Sequence, residues 1–160
     1  MPSVLILAYG NPIRGDDGVA WRAAQELEKV LPPPMAEIVR LHQLAPELAE
    51  QASHADTVIF LDANCDGQPG TIRCLPVEPQ PGDPRFSHHV TPQALMALCE
   101  RLYSARPAAF AVSLAGESFG VGDQLSRAAT RALPQLVRAV QELVGAHGSA
   151  GVPAGILRPR

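Results

Sequence analysis

The fold is indicated first by the segment VLILAYGNPIRGDDG at residues 4–18. It begins with five consecutive apolar residues, VLILA, which are typical of a strand buried on both faces of a parallel sheet. The glycines, proline and aspartates of GNPIRGDDG at residues 10–18 predict a loop. A helix is predicted to follow to about Leu31, because apolar residues recur there at helical spacing and three prolines come next. The segment therefore predicts a strand, a loop and a helix in succession.

The same alternation continues along the chain. Thr91 and Pro92 are a typical N-cap and first helical residue, and Pro134 is expected to kink or split the last helix. Strands alternating with helices predict the α/β class, here a doubly wound, mostly parallel sheet of about five strands with helices on both faces. We assign this single domain to residues 1–145 and a flexible Gly/Pro/Ala-rich tail to residues 146–160. The further strands are predicted within 37–42 and at 57–61, 71–75 and 108–114, and the further helices at 46–52, from residue 91, and at 125–143.

Composition excludes several classes of protein. The 160 residues are 46% hydrophobic and 18% charged, which argues against disorder, and the net charge of -3 argues against a nucleic-acid binder. No apolar run reaches the roughly 18 residues of a membrane span, and the first residues lack the basic stretch of a signal peptide. The three cysteines form no CxxC pair. We therefore expect a cytoplasmic protein that binds neither nucleic acid nor membrane.

Acidic residues follow two of the predicted strands. In doubly wound sheets, ligands bind beyond the carboxyl ends of the strands, where the strand order reverses. If the order begins 2-1-3, the loop at residues 10–18 meets Asp62, and Asp16 or Asp17 comes near it. Neighbouring carboxylates are unfavourable unless a cation or a proton lies between them. With an imidazole from the segment Ser87-His88-His89, the two carboxylates predict a divalent-metal site with open coordination positions.

Each of these residues also has a simpler interpretation. Asp16 and Asp17 are both suitable helix caps, and Asp62 is suitable as a turn residue. The paired histidines fit a solvated loop, and Cys65 is either a soft metal ligand near Asp62 or an inert cysteine. Phosphate binding is disfavoured, since the glycine loop matches no phosphate-binding motif and carries two aspartates.

Three segments together resemble the hydrogenase maturation proteases, the endopeptidases that process the large subunit of nickel–iron hydrogenases. The resemblance extends over roughly residues 3–145, and three motifs in the same order are more specific than any one alone. The segments are LAYGNPIRGDDGV at residues 7–19, FLDA at residues 60–63 and FSHHV at residues 86–90, and the turn AGES at residues 115–118 also fits.

The resemblance implies a set of site residues. The family's nickel ligands correspond to Asp17, Asp62 and His89, with His88 as the alternative histidine. The catalytic set consists of these three residues and Asp16, for which we expect a supporting role. The nickel would arrive bound to the substrate, so no tightly bound cofactor is expected.

The implied activity is removal of the C-terminal extension from the precursor of a hydrogenase large subunit after nickel insertion. We expect a monomer, classed with aspartyl-type endopeptidases, in which water attacks a carbonyl polarised by the metal. A non-catalytic nickel-binding or chaperone-like module on the same fold is the alternative.

Overall fold

The computed structural model describes residues 3–82 and 89–146. These residues form an α/β fold in which strands and helices follow the predicted order, and this confirms the predicted fold class. The predicted tail lies outside the described residues from residue 147 onward. The elements are β1 (Val4–Tyr9), α1 (Val19–Val30), β2 (Glu37–Leu41), α2 (Leu48–Ser53), β3 (Thr57–Asn64), β4 (Ile72–Pro76), α3 (Pro92–Tyr103), β5 (Ala108–Ala115) and α4 (Arg127–Gly145), and a 3-10 turn at Gly15–Gly18 leads into α1.

The sheet has the strand order β2-β1-β3-β5-β4. The first four strands in that order run parallel, and β4 pairs antiparallel with β5 at the edge. The order reverses at β1, whose neighbours are β2 on one side and β3 on the other. The predicted 2-1-3 arrangement is therefore confirmed, and the carboxyl ends of β1 and β3 lie side by side.

Helices cover both faces of the sheet, as predicted. α1 and α4 pack on one face, against a cluster that includes Ile6 and Ile59. α2 and α3 pack on the other face, against a cluster that includes Leu7 and Phe60. β1 and β3 contribute side chains to both clusters, so successive residues of these strands are buried on opposite faces of the sheet. This explains why the sequence of each strand contains an uninterrupted apolar run.

Two local predictions need correction. β3 continues through Asp62 to Asn64, because its pairing with β5 extends as far as the Asn64–Ala115 pair. Asp62 is therefore a strand residue and not part of a turn. Pro134 does not split α4, which runs unbroken through it. Pro134 and Thr130 are both exposed, so water can bind the Thr130 carbonyl that proline leaves without a helical donor.

Among residues 3–82 and 89–146, none of the helices combines the length and the apolar character that crossing a lipid bilayer requires.

Candidate functional site

The loop after β1 folds back on itself and orients Asp17. Gly10 has φ 143°, and a Cβ there would lie 2.1 Å from the carbonyl oxygen of Asp17. Only glycine allows this approach, because any side chain would overlap the backbone. The backbone N–H of Asn11 then donates to the Asp17 carboxylate at 2.7 Å. Asp17 is thus held at the carboxyl edge of the sheet with its side chain half-buried.

Asp16 is directed into the protein and binds the loop that follows β5. Its side chain is 0% exposed. One carboxylate oxygen accepts hydrogen bonds from the backbone N–H groups of Glu117 and Ser118, at 2.8 and 3.1 Å, and from the Ser126 hydroxyl at 2.6 Å. The other oxygen accepts from the Ser126 backbone N–H at 2.7 Å. Ser126 is also the N-cap of α4, so Asp16 connects the start of that helix to the β1 loop.

These hydrogen bonds decide the charge state of Asp16. Burial alone raises the pKa of the carboxyl, but the hydrogen bonds from Ser126, Glu117 and Ser118 outweigh burial and lower the pKa below its usual value. Asp16 is therefore a buried, ionised and fully engaged carboxylate. Of the supporting roles open to Asp16, this geometry allows only positioning, because the side chain has no surface on which substrate could bind.

Backbone hydrogen bonds join the same two loops. Gly15 donates to the carbonyl of Gly122 at 2.9 Å, and Gly122 donates to the carbonyl of Ile13 at 2.8 Å. The Asp16 N–H donates to the carbonyl of Ser118 at 2.8 Å. The loop at residues 10–18 and the loop at residues 116–126 therefore form one connected unit at the carboxyl edge of the sheet.

Asp62 lies at the same edge, on the face that α2 and α3 cover. The Ala63 backbone N–H donates to its carboxylate at 2.7 Å. The pKa of Asp62 is raised to about 7, mainly by burial and further by the negative charge of Asp17. Hydrogen bonds from the Ala63 N–H and the Tyr9 hydroxyl oppose this rise. Near neutral pH this carboxyl is thus poised to lose its proton when a cation arrives.

Tyr9 is a site residue that the motifs alone did not identify. In the register of β1 and β3, Ala8 lies opposite Leu61, which places Tyr9 beside Asp62. Burial and the neighbouring Asp62 carboxylate raise the pKa of the Tyr9 phenol, so this phenol remains protonated and donates to Asp62. The signal was available in the sequence, since a 2-1-3 strand order places the last residue of the first strand against the end of the third.

The structure brings together two of the three predicted metal ligands. Asp17 and Asp62 are close enough for the charge of one to affect the pKa of the other. Within the described part of the chain, however, no group of three or more His, Cys, Asp or Glu side chains is arranged to hold a metal ion. The predicted convergence of His89 and the two aspartates is therefore not found, and Cys65, which is exposed, does not complete a cluster either.

His89 lies just before α3 and is exposed. Its side chain is exposed and lines a groove of about 590 Å³ together with Val90, Ala94 and Leu98. Ser87 and the alternative ligand His88 lie outside the described residues.

The contacts of Asp16 predict a structural effect of substitution. In Asp16→Asn, a single amide oxygen remains to accept from the four donors, and the amide N–H₂ faces some of these donors instead of accepting from them. We therefore expect a loss of about 2–4 kcal/mol in the free energy of unfolding. Because the folded-state pKa is lowered, the wild-type advantage is present above pH 4 and disappears as the pH falls below it. Urea unfolding measures the change. Asp123→Asn, at an exposed carboxylate in the loop that Asp16 binds, is the matched control, and an equal midpoint for both variants would contradict the role given to Asp16.

For Asp62 we expect substitution to stabilise the protein. A carboxyl whose folded-state pKa is raised from 3.8 to about 7 costs stability once it ionises, so wild-type stability falls as the pH rises through this window. Asp62→Asn keeps the acceptor for Ala63 and removes the charge. We expect it to be more stable than the wild type by roughly 1–3 kcal/mol at pH 8 and equally stable at pH 4. Thermal unfolding at both pH values tests this, with the exposed Asp66→Asn as control; a gain that does not depend on pH would refute it.

Comparison with known proteins gives structural matches only. No protein-family model and no curated protein sequence matches the chain. The hydrogenase maturating endopeptidase HybD from E. coli superposes with a TM-score of 0.73 and 21% identity, over 96% of this chain and 98% of that one. The hydrogenase maturation protease HycI from Thermococcus kodakarensis superposes with a TM-score of 0.68 and 17% identity, over 89% and 92%.

A third structure, a hydrogenase 2 maturation peptidase from a Thaumarchaeota archaeon, has a TM-score of 0.67 and 21% identity, over 89% of this chain and 98% of that one. All three identities are low, so the likeness is one of fold. The matches extend over nearly the whole length of each chain. This chain therefore has the fold of the hydrogenase maturation proteases, as its motifs predicted.

Proposed function

We propose that this protein is a processing endopeptidase that removes the C-terminal extension from the precursor of a nickel–iron hydrogenase large subunit after nickel insertion. The observation that carries this proposal is the pairing of Asp17 with Asp62 at the strand-order reversal of a hydrogenase maturation protease fold. The names of the three matched structures support the choice of activity.

The carboxylate pair is suited to recognise a cation that the substrate brings. Two neighbouring carboxylates repel each other, and a divalent cation between them removes that repulsion. Carboxylates and imidazole bind nickel without the thiolates that would withdraw it from cysteines of the substrate. In this proposal His89 is the third ligand, and it reaches the metal only when its side chain leaves the groove on α3.

Hydrolysis then requires a water molecule and a polarised carbonyl. In the proposed reaction the water oxygen bonds to the scissile carbonyl carbon, the C–N bond breaks, and a proton from water passes to the departing amine. The nickel of the substrate polarises the carbonyl. Asp16 acts only indirectly, because it holds the loop that presents Asp17.

The direct test compares a nickel-loaded precursor with the same precursor lacking metal, at equal concentration. We expect the large subunit to shift in electrophoretic mobility only when nickel is present, because the Asp17–Asp62 pair gains its additional interaction from the metal. Equal cleavage of both forms would indicate an ordinary sequence-specific peptidase. Binding of the loaded precursor without any cleavage would favour the alternative, a nickel-binding or chaperone-like module.

Two substitutions test the assigned ligands in the same assay. Asp17→Asn retains an acceptor for the Asn11 N–H, and His89→Ala alters an exposed side chain, so both variants should keep the wild-type melting temperature. We expect each to slow cleavage at least about 100-fold, since losing a group that only orients a metal ligand already costs about 10–100-fold. Asp66→Asn and His54→Ala, at exposed positions, are the matched controls. Wild-type rates for His89→Ala would remove that residue from the site.

A further inference from the structure

Two exposed aliphatic side chains lie next to each other beside the candidate site. Ile13 is 60% exposed and Val121 is 90% exposed. They belong to different loops, but Arg14 and Gly122 form a parallel β-bridge, so the residues that precede them are neighbours across it. We refer to Ile13 and Val121 as the apolar rim. A single exposed aliphatic residue is ordinary, whereas an adjacent pair at the edge of a site points to a contact surface.

The backbone beneath the apolar rim is firmly held. The hydrogen bond from Gly122 to the Ile13 carbonyl measures 2.8 Å, and that from Gly15 to the Gly122 carbonyl measures 2.9 Å. The buried Asp16 carboxylate fixes the same loop again through Glu117 and Ser118. A surface held in this way loses little conformational freedom when a partner binds, which favours binding.

The apolar rim is also connected to the carboxylate pair. The Ile13 N–H donates to the Asn11 side-chain oxygen at 3.1 Å, and the Asn11 N–H donates to the Asp17 carboxylate at 2.7 Å. The loop that carries Ile13 therefore adjoins Asp17, and a macromolecule that presents a peptide bond to Asp17 and Asp62 comes close to this loop.

We propose that the apolar rim is a docking surface for apolar side chains of the hydrogenase large-subunit precursor next to its cleavage site. This inference rests on the proposed function and adds the surface by which the protein substrate is held. The occupant is the precursor because hydrogen bonds through Asn11 connect the loop of Ile13 to Asp17, where the scissile bond is proposed to bind. An apolar rim excludes water from that contact and contributes to binding without taking part in the reaction.

The test substitutes each rim residue by aspartate and measures cleavage of the nickel-loaded precursor. We expect Ile13→Asp and Val121→Asp each to raise KM about tenfold or more and to leave kcat within about twofold, as for truncation of a binding residue. Met35→Asp is the matched control, since Met35 is 49% exposed and lies before β2, at the opposite edge of the sheet. Ile13→Ser keeps the test valid if the aspartate variant is less stable. Unchanged KM in both rim variants would overturn the inference.

A binding measurement separates this inference from the proposed function. If the wild type binds the precursor without cleaving it, the protease proposal fails, and the rim is still supported when both variants lose binding while Met35→Asp retains it. If wild type and rim variants bind equally, the inference fails whatever the activity. Sedimentation supplies a further outcome: a wild-type dimer that Ile13→Asp converts to monomers would assign the rim to a second copy of this chain and overturn the proposal.

Discussion

The site depends on one buried carboxylate. Asp16 accepts four hydrogen bonds from Glu117, Ser118 and Ser126, and these bonds join the loop after β1 to the loop after β5 and to the start of α4. A Cβ on Gly116 would lie 2.8 Å from the Cβ of Asp16, so the two loops meet at a position that requires glycine. Together with the backbone hydrogen bonds between Gly15, Gly122 and Ile13, this connection holds Asp17 and the apolar rim in their common arrangement.

The adjacent residues Asp16 and Asp17 differ in what surrounds their carboxylates, and this difference gives Asp16 a structural role and leaves Asp17 available for the site. Protein donors satisfy Asp16 completely, and the pKa of its carboxyl is lowered. The charge of Asp17 acts on Asp62, where burial and this second negative charge raise the pKa of the Asp62 carboxyl to about 7. Two neighbouring carboxyl groups of this kind favour a cation between them, which is the property that a cation-recognising site requires.

Much of the fold could be predicted from local pattern. The apolar runs that became β1 and β3, and the N-cap of α3 at Thr91, depend on burial on both faces and on backbone capping, which short segments encode directly. The predicted split at Pro134 was wrong because a helix tolerates proline where water can bind the freed carbonyl, and exposure is a tertiary property. The extension of β3 through Asp62 depended on pairing with β5, more than forty residues away along the chain.

For the site, the sequence by itself determined the residue types and their placement at one sheet edge, because parallel strands in the order 2-1-3 bring the ends of β1 and β3 together. It could not decide which aspartate of the pair is buried, since that choice depends on donors from residues 117–126. Nor could it show that His89 lines a groove together with residues of α3. Only the tertiary structure decided these points, because hydrogen-bond partners and side-chain directions are set by segments distant in sequence.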